Sequence, residues 1–155
     1  MFELRDELSI SGRTIRTARW LIELEPHPGT KDKRITTVGI WNSGLLEPNP
    51  PIFAALHSPV ILITGGPQGI AHPNGLRDFE TLPKNIPVFH GVLPDVGLGG
   101  TYDRDNGGEF GTVAVAWLRW QLLHDTSAKA KGLFAGRQCG LCVDPKWRVQ
   151  QRAIE

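Results

Sequence analysis

The sequence predicts an α/β protein, a small three-layer sandwich with a short parallel sheet of about three strands between helices. Two observations carry this. Pro59-Val60-Ile61-Leu62-Ile63-Thr64 is a continuous apolar, β-branched run, and Val88-Phe89-His90-Gly91-Val92-Leu93 repeats the arrangement, the pattern of parallel strands covered on both faces. Each is halted by a glycine-rich turn, Gly65-Gly66-Pro67 after the first and Gly97-Leu98-Gly99-Gly100 after the second. Helical segments separate and follow them, so the strands are joined by right-handed crossovers.

The elements follow in order. Residues 1–10 alternate (Phe2, Leu4, Leu8, Ile10) and suit an edge strand or an amphipathic turn. Ser11 offers an N-cap for a helix over Arg13–Glu25, whose apolar stripe is Ile15, Ala18, Trp20, Leu21, Ile22 and Leu24. Pro26 and Pro28-Gly29 end it. Ile35–Asn42 is a strand by its β-branched content, closed by Ser43-Gly44. A loop from Leu45 to Pro51 leads into a short helix over Ile52–Leu56. After the strand at 59–64, Asn74-Gly75 marks a turn and Leu76–Leu82 a brief helix. The strand at 87–93 and the polar loop Asp103–Gly108 precede the longest helix, Phe110–His124, with Val113, Ala114, Trp117, Leu118, Trp120 and Leu122 on a broad apolar face. Thr126–Lys131 reads as a further helical turn. Gly132–Glu155 is a tail docked by Phe134, Leu141, Val143 and Trp147. The strand order is 35–42, 59–64, 87–93, which leaves the 35–42 edge in need of cover from residues 1–10 or from a second copy across a two-fold axis.

At 155 residues the chain is one domain, divided into an N-terminal segment (1–34), a core (35–125) and a tail (126–155). A net charge of +1 implies no polyanionic or nucleic-acid partner, since the arginines at 13, 16 and 19 read as a solvent-facing helix side. The amino terminus has charges among its apolar residues, unlike a signal peptide, and no window approaches a membrane span. The chain as written reads as cytoplasmic; a secreted form with its leader removed is the alternative. Cys139 and Cys142, in Cys-Gly-Leu-Cys, admit three readings: structural thiols or a local disulfide, inert free thiols, and redox or metal chemistry. No second ligand pair follows them, so no metal and no cofactor is expected.

Residues 35–44 (ITTVGIWNSG), the two glycine turns, 106–125 (NGGEFGTVAVAWLRWQLLHD) and the Cys-Gly-Leu-Cys segment through Trp147 resemble the last third of bacterial and fungal α/β-hydrolase-like proteins. The resemblance covers about two thirds of the chain. It implies a truncated α/β-hydrolase sheet and a carboxylic-ester hydrolase ancestry, with exported members in the family. The catalytic positions depart from it: the family's histidine falls on Leu98, its acid on Gln68-Gly69, and the Gly-x-Ser-x-Gly elbow occurs nowhere.

A triad needs nucleophile, base and acid in contact. The weak candidates are Ser43 at a strand end, His72 after the Gly-Gly-Pro turn near Asp78 and Asp95, and His90 within a strand. Each also has a plain structural reading: a strand-closing serine, a loop histidine, a core histidine. His57 and His124 fall at helix ends and His27 in a turn. Asp95, Asp103, Asp105 and Glu109 cluster in sequence without calcium-loop spacing. A pocket at the carboxyl ends of the strands is expected to use Gly65, Gly66, His72, Asn74, Leu98, Gly99 and Tyr102, the glycines offering backbone N–H groups to a small apolar or ester-like ligand. The sequence thus favours a catalytically degenerate hydrolase-like protein that binds a ligand or self-associates through the 35–42 edge. The alternative is a serine esterase with an unconventional or subunit-completed site.

Overall fold

The computed structural model describes the strands Leu8–Ile10 and Arg13–Ile15 and residues 33–45 and 50–155. In chain order the elements are β1 (Leu8–Ile10), β2 (Arg13–Ile15), β3 (Val38–Trp41), α1 (Pro50–Ala54), β4 (Val60–Gly65), α2 (Ala71–Thr81), β5 (Val88–Leu93), α3 (Gly108–Leu123), α4 (Gly140–Val143) and β6 (Arg148–Arg152). Short 3-10 turns occupy Asp105–Gly107 and Lys131–Leu133.

The main sheet runs β3-β4-β5-β6. β3, β4 and β5 are parallel in the predicted order, with Val38 opposite Val60 and Val60 opposite Val88. The sheet has four strands rather than three. β6 adds to the outer edge of β5 antiparallel, with Val88 opposite Arg152 and Val92 opposite Arg148, and makes the sheet mixed. Its sequence, Arg-Val-Gln-Gln-Arg, has one apolar residue and no alternation to read. An edge strand needs little apolar content because one side and much of one face meet water.

The period of two divides the strands between two cores. Val38, Ile40, Val60, Leu62 and Val88 face Phe53 and Leu56 of the α1 segment and Phe79 and Leu82 of the α2 segment. Ile61, Ile63, Phe89 and Leu93 face Phe110, Val113 and Trp117 of α3, together with Phe134, Leu141 and Trp147 of the tail. The predicted three layers are therefore present, with both crossover helices on one face and α3 on the other. Every residue of β4 and β5 is buried. Each Val, Leu, Ile or Phe so sealed contributes about 1.5–3 kcal/mol.

Other expectations are corrected. Arg13–Ile15 is a strand, not the first turn of a helix: Ile10 pairs with Arg13 and Leu8 with Ile15, antiparallel. Ser11, read as a cap, stands before Gly12, and Ser-Gly is equally a turn signal. The rest of the expected 13–25 helix lies outside the described residues. Leu8–Ile10 pairs with β2 and not with β3, so it does not extend the main sheet. α2 starts at Ala71, five residues earlier than expected, because Pro73 falls in its first turn, where a missing N–H costs nothing. α3 closes at His124 in the left-handed conformation (φ 56°), whose N–H bonds the Arg119 carbonyl, so the helix does not continue into Thr126–Lys131.

Candidate functional site

β4 and β5 end side by side, and α2 is laid across them on one face. The approach is close because residue 75 is glycine: a Cβ there would stand 2.7 Å from Thr64 Cγ2 and 3.3 Å from His90 Nε2. Helix interiors usually disfavour glycine by ~1 kcal/mol. Here it admits the helix to the two polar side chains on this face of the sheet.

His90 is fully buried. Its Nε2 lies 3.3 Å from Thr64 Oγ1, and its Nδ1 lies 3.3 Å from Gln150 Oε1 on β6. An amide oxygen only accepts, so the proton resides on Nδ1, and Nε2 accepts from the Thr64 hydroxyl. Burial pushes the His90 pKa down, the Gln150 bond opposes this, and the neighbouring His72 adds to the depression. The ring is thus held neutral. The resulting hydroxyl–imidazole–amide row has the connectivity of a triad with two members changed: Thr64 is 0% exposed, and an amide stands where a carboxylate would be.

Beside this row opens a cleft of about 310 Å³ lined by Pro67, His72, Leu76, Val92, Pro94, Arg148, Val149 and Gln150. With Gln150 Oε1 engaged by His90, its amide NH₂ is left as a donor at the cleft wall. Arg148 donates from Nη1 to the Pro145 and Trp147 carbonyls at 3.0 and 3.1 Å and meets no carboxylate among the described residues. His72 Nδ1 is buried with no hydrogen-bond partner among the described residues. The cleft is therefore largely apolar in its walls, with Arg148 and the Gln150 amide as its polar groups.

The expected pocket is organised otherwise. His72 is its one residue in this cleft. Gly65 and Gly66 are used in packing: a Cβ on Gly65 would collide with the Val96 and Gly97 carbonyls, and one on Gly66 with the Pro94 carbonyl. Their N–H groups are engaged, Gly65 to Asn42 Oδ1 at 2.8 Å and Gly66 to the Val96 carbonyl at 2.8 Å. Asn42 closes this junction. It follows β3 with φ 46°, accepts from Gly65, and donates from Nδ2 to the Gly97 carbonyl at 3.1 Å and to the Leu98 carbonyl. Leu98, Gly99 and Tyr102 are exposed, the Tyr102 ring edge-on to Phe110 at 5.8 Å. Asn74 packs against Gly44 on the β3 side of α2. Ser43 is partly buried next to Gly44, and no hydrogen bond joins it to His72 or His90.

Of the acids, Asp78 is fully buried, accepting from the Leu45 N–H at 2.8 Å with Arg77 Nη2 at 3.4 Å. Burial raises its pKa against those two contacts. It anchors the segment after β3 and is not among the cleft-lining residues. Glu109 pairs with Arg104 at 2.7 Å and approaches Lys146 at 3.9 Å. Among the described residues no group of three or more His, Cys, Asp or Glu is placed to hold a metal ion, and no helix is long and apolar enough to cross a membrane. Cys139 and Cys142 form a disulfide, the first of the open readings of that pair.

No family model matches the chain, and no curated protein matches it.

Gln150, Arg148 and Asn42 are site residues absent from the sequence-based expectation. Gln150 and Arg148 belong to a strand without an apolar pattern, so nothing placed them beside His72. Asn42 had a usable signal: an asparagine just past a β-branched run, before Ser-Gly, is suited to a left-handed turn residue.

Proposed function

We propose that this protein is a non-hydrolytic, α/β-hydrolase-like binding module whose cleft at His72, Arg148 and Gln150 takes a small molecule with an apolar body and a hydrogen-bond acceptor, a carboxylate or an ester carbonyl. The reading is supported by one observation above the rest. The buried histidine spends both ring nitrogens inside the protein, on a sealed threonine and an amide, so it has no lone pair to offer a nucleophile that substrate can reach. Leu98 at the position where the resemblance implies a histidine agrees with it. Arg148 and the Gln150 amide, set in otherwise apolar walls, support this choice of ligand class.

Two measurements test it. A fluorophosphonate probe is expected to leave the protein unlabelled, and a panel of short-chain esters to be hydrolysed at the rate of a protein-free blank, with Leu98→His no faster. Saturable labelling of a serine overturns the reading in favour of an esterase. Titration with a short-chain carboxylate and its ethyl ester, followed by amide NMR, is expected to shift the signals of Val92 and Val149; unshifted signals remove the ligand.

A second mode is favoured by the sheet itself. Among the described residues no strand pairs with the outer edge of β3, so we propose that two copies associate through it. Light scattering is expected to give twice the chain mass; a monomer at every concentration removes this mode.

A further inference from the structure

The tail carries a disulfide that lies apart from the cleft. It joins Cys139 and Cys142 across the single turn of α4. The two sulfurs are unequally placed. Cys139 is 1% exposed, within the core cluster that holds Phe134, Leu141 and Trp147. Cys142 packs at the border of that cluster and is partly exposed. Each has a donor aimed at it: the Cys142 backbone N–H reaches Cys139 Sγ at 3.1 Å, and Gln151 Nε2 lies 3.7 Å from Cys142 Sγ.

We propose that this pair is a thiol–disulfide exchange site for thiol reductants, small monothiols or exposed protein dithiols, in which Cys142 is the sulfur attacked and Cys139 the sulfur that leaves. An external thiolate attacks Cys142 Sγ. A mixed disulfide forms there, the Cys139–Cys142 bond breaks, and its electron pair departs on Cys139 as thiolate. That charge develops where the Cys142 N–H already points, which stabilises the leaving group, and a stabilised leaving thiolate speeds exchange. A second external thiolate then attacks the sulfur of the bound reductant, releasing an external disulfide and leaving Cys142 as thiolate. Water protonates both thiolates. In sum, two external thiols become one disulfide, and the protein pair takes up two electrons and two protons. An external disulfide reverses the sequence. Access fixes the order of events: a reductant in solvent reaches Cys142 and not Cys139.

The test is limited reduction of the folded chain by glutathione, quenched by acid and mapped by peptide mass. The adduct is expected on Cys142 about tenfold or more over Cys139, with tryptophan fluorescence unchanged during its formation. An adduct on Cys139, an even distribution between the two, or no reduction until the protein is denatured overturns the proposal and makes the disulfide a structural clasp. Cys139→Ser is expected to hold a stable mixed disulfide and Cys142→Ser to hold none. The wild-type map decides the matter if a variant does not fold.

Discussion

Asn42 takes the Gly65 N–H on its Oδ1 at 2.8 Å and turns its amide nitrogen to the Gly97 carbonyl, so one side chain ties together the ends of three structural segments: β3, β4 and the turn after β5. Both ends of the amide are needed. Asn42→Asp keeps the acceptor but sets a carboxylate oxygen against the Gly97 and Leu98 carbonyls. Asn42→Ala leaves a buried N–H without a partner, a loss of about 1–3 kcal/mol. Both variants are expected to unfold at lower urea than wild type, Asp at the lowest, with the slope of the transition unchanged. Equal stability of Asp and Asn at this position would show that the carbonyl contacts contribute nothing.

Gly75 inverts the usual helix rule. Glycine to alanine within a helix ordinarily stabilises by about 1 kcal/mol. Gly75→Ala is expected to destabilise by about 1–3 kcal/mol instead, because the new methyl meets Thr64 Cγ2 at 2.7 Å. Thr64→Ser removes that methyl and keeps the hydroxyl for His90. In the double variant the alanine is therefore expected to cost less than alone. A double-mutant cycle from urea denaturation gives the coupling, and simple additivity contradicts the contact.

The neutral buried histidine makes stability depend on pH. Its pKa in the folded chain lies below the ordinary 6.5, so the unfolded chain binds the proton more readily. The contribution is complete above pH 6.5 and is lost as pH falls from there toward the folded value, at no more than about 1.4 kcal/mol per pH unit. Asp78 runs in the opposite sense. Its raised pKa makes its burial costly only as pH climbs above 3.8. Denaturation at pH 7.5 and pH 5.5, compared between wild type and His90→Gln, isolates the histidine: the wild type is expected to lose more stability on acidification. Parallel losses would mean that His90 titrates in the native chain as it does in the unfolded one.

Arg152 reaches from β6 to the carboxyl end of α2. Its Nη2 donates to the Leu82 and Pro83 carbonyls at 3.1 and 3.2 Å, its Nη1 approaches the Phe79 carbonyl at 3.4 Å, and its guanidinium lies 5.2 Å from the centre of the Phe79 ring. A cation there satisfies carbonyls the helix leaves over and opposes the negative end of its dipole. Arg152→Met is expected to cost about 1–2 kcal/mol. Hydrogen exchange should quicken at the Leu82 amide, which closes α2 on the Asp78 carbonyl. Unchanged exchange at Leu82 would show that the helix end is held without the arginine.

How far the fold could be read before the structure depended on how strongly each element announces itself. β4 and β5 were legible because a run such as Val60–Thr64 has a single comfortable environment, buried on both faces. Their order beside β3 followed from short crossovers. α3 was legible from its tryptophans and valines. β6 was not, since Gln150 and Gln151 are as much at home in a loop; it becomes a strand because β5 presents an unpaired edge. The site divided in the same manner. His72 and the glycine turns stood out in the sequence, but which turn would seal and which would open depended on long-range partners such as Asn42 and Gln150, separated from their contacts by 23 to 60 residues.

Strand order in the main sheet is the order of synthesis: β3, β4, β5, then β6. Each strand finds its template already laid down by the one before, so the sheet can be built outward as the chain emerges from the ribosome. The final step is also the one that completes the histidine's surroundings, because Gln150 arrives with β6. A nascent chain halted before residue 148 would carry a nearly finished sheet whose imidazole still lacks its amide and whose cleft still lacks a wall.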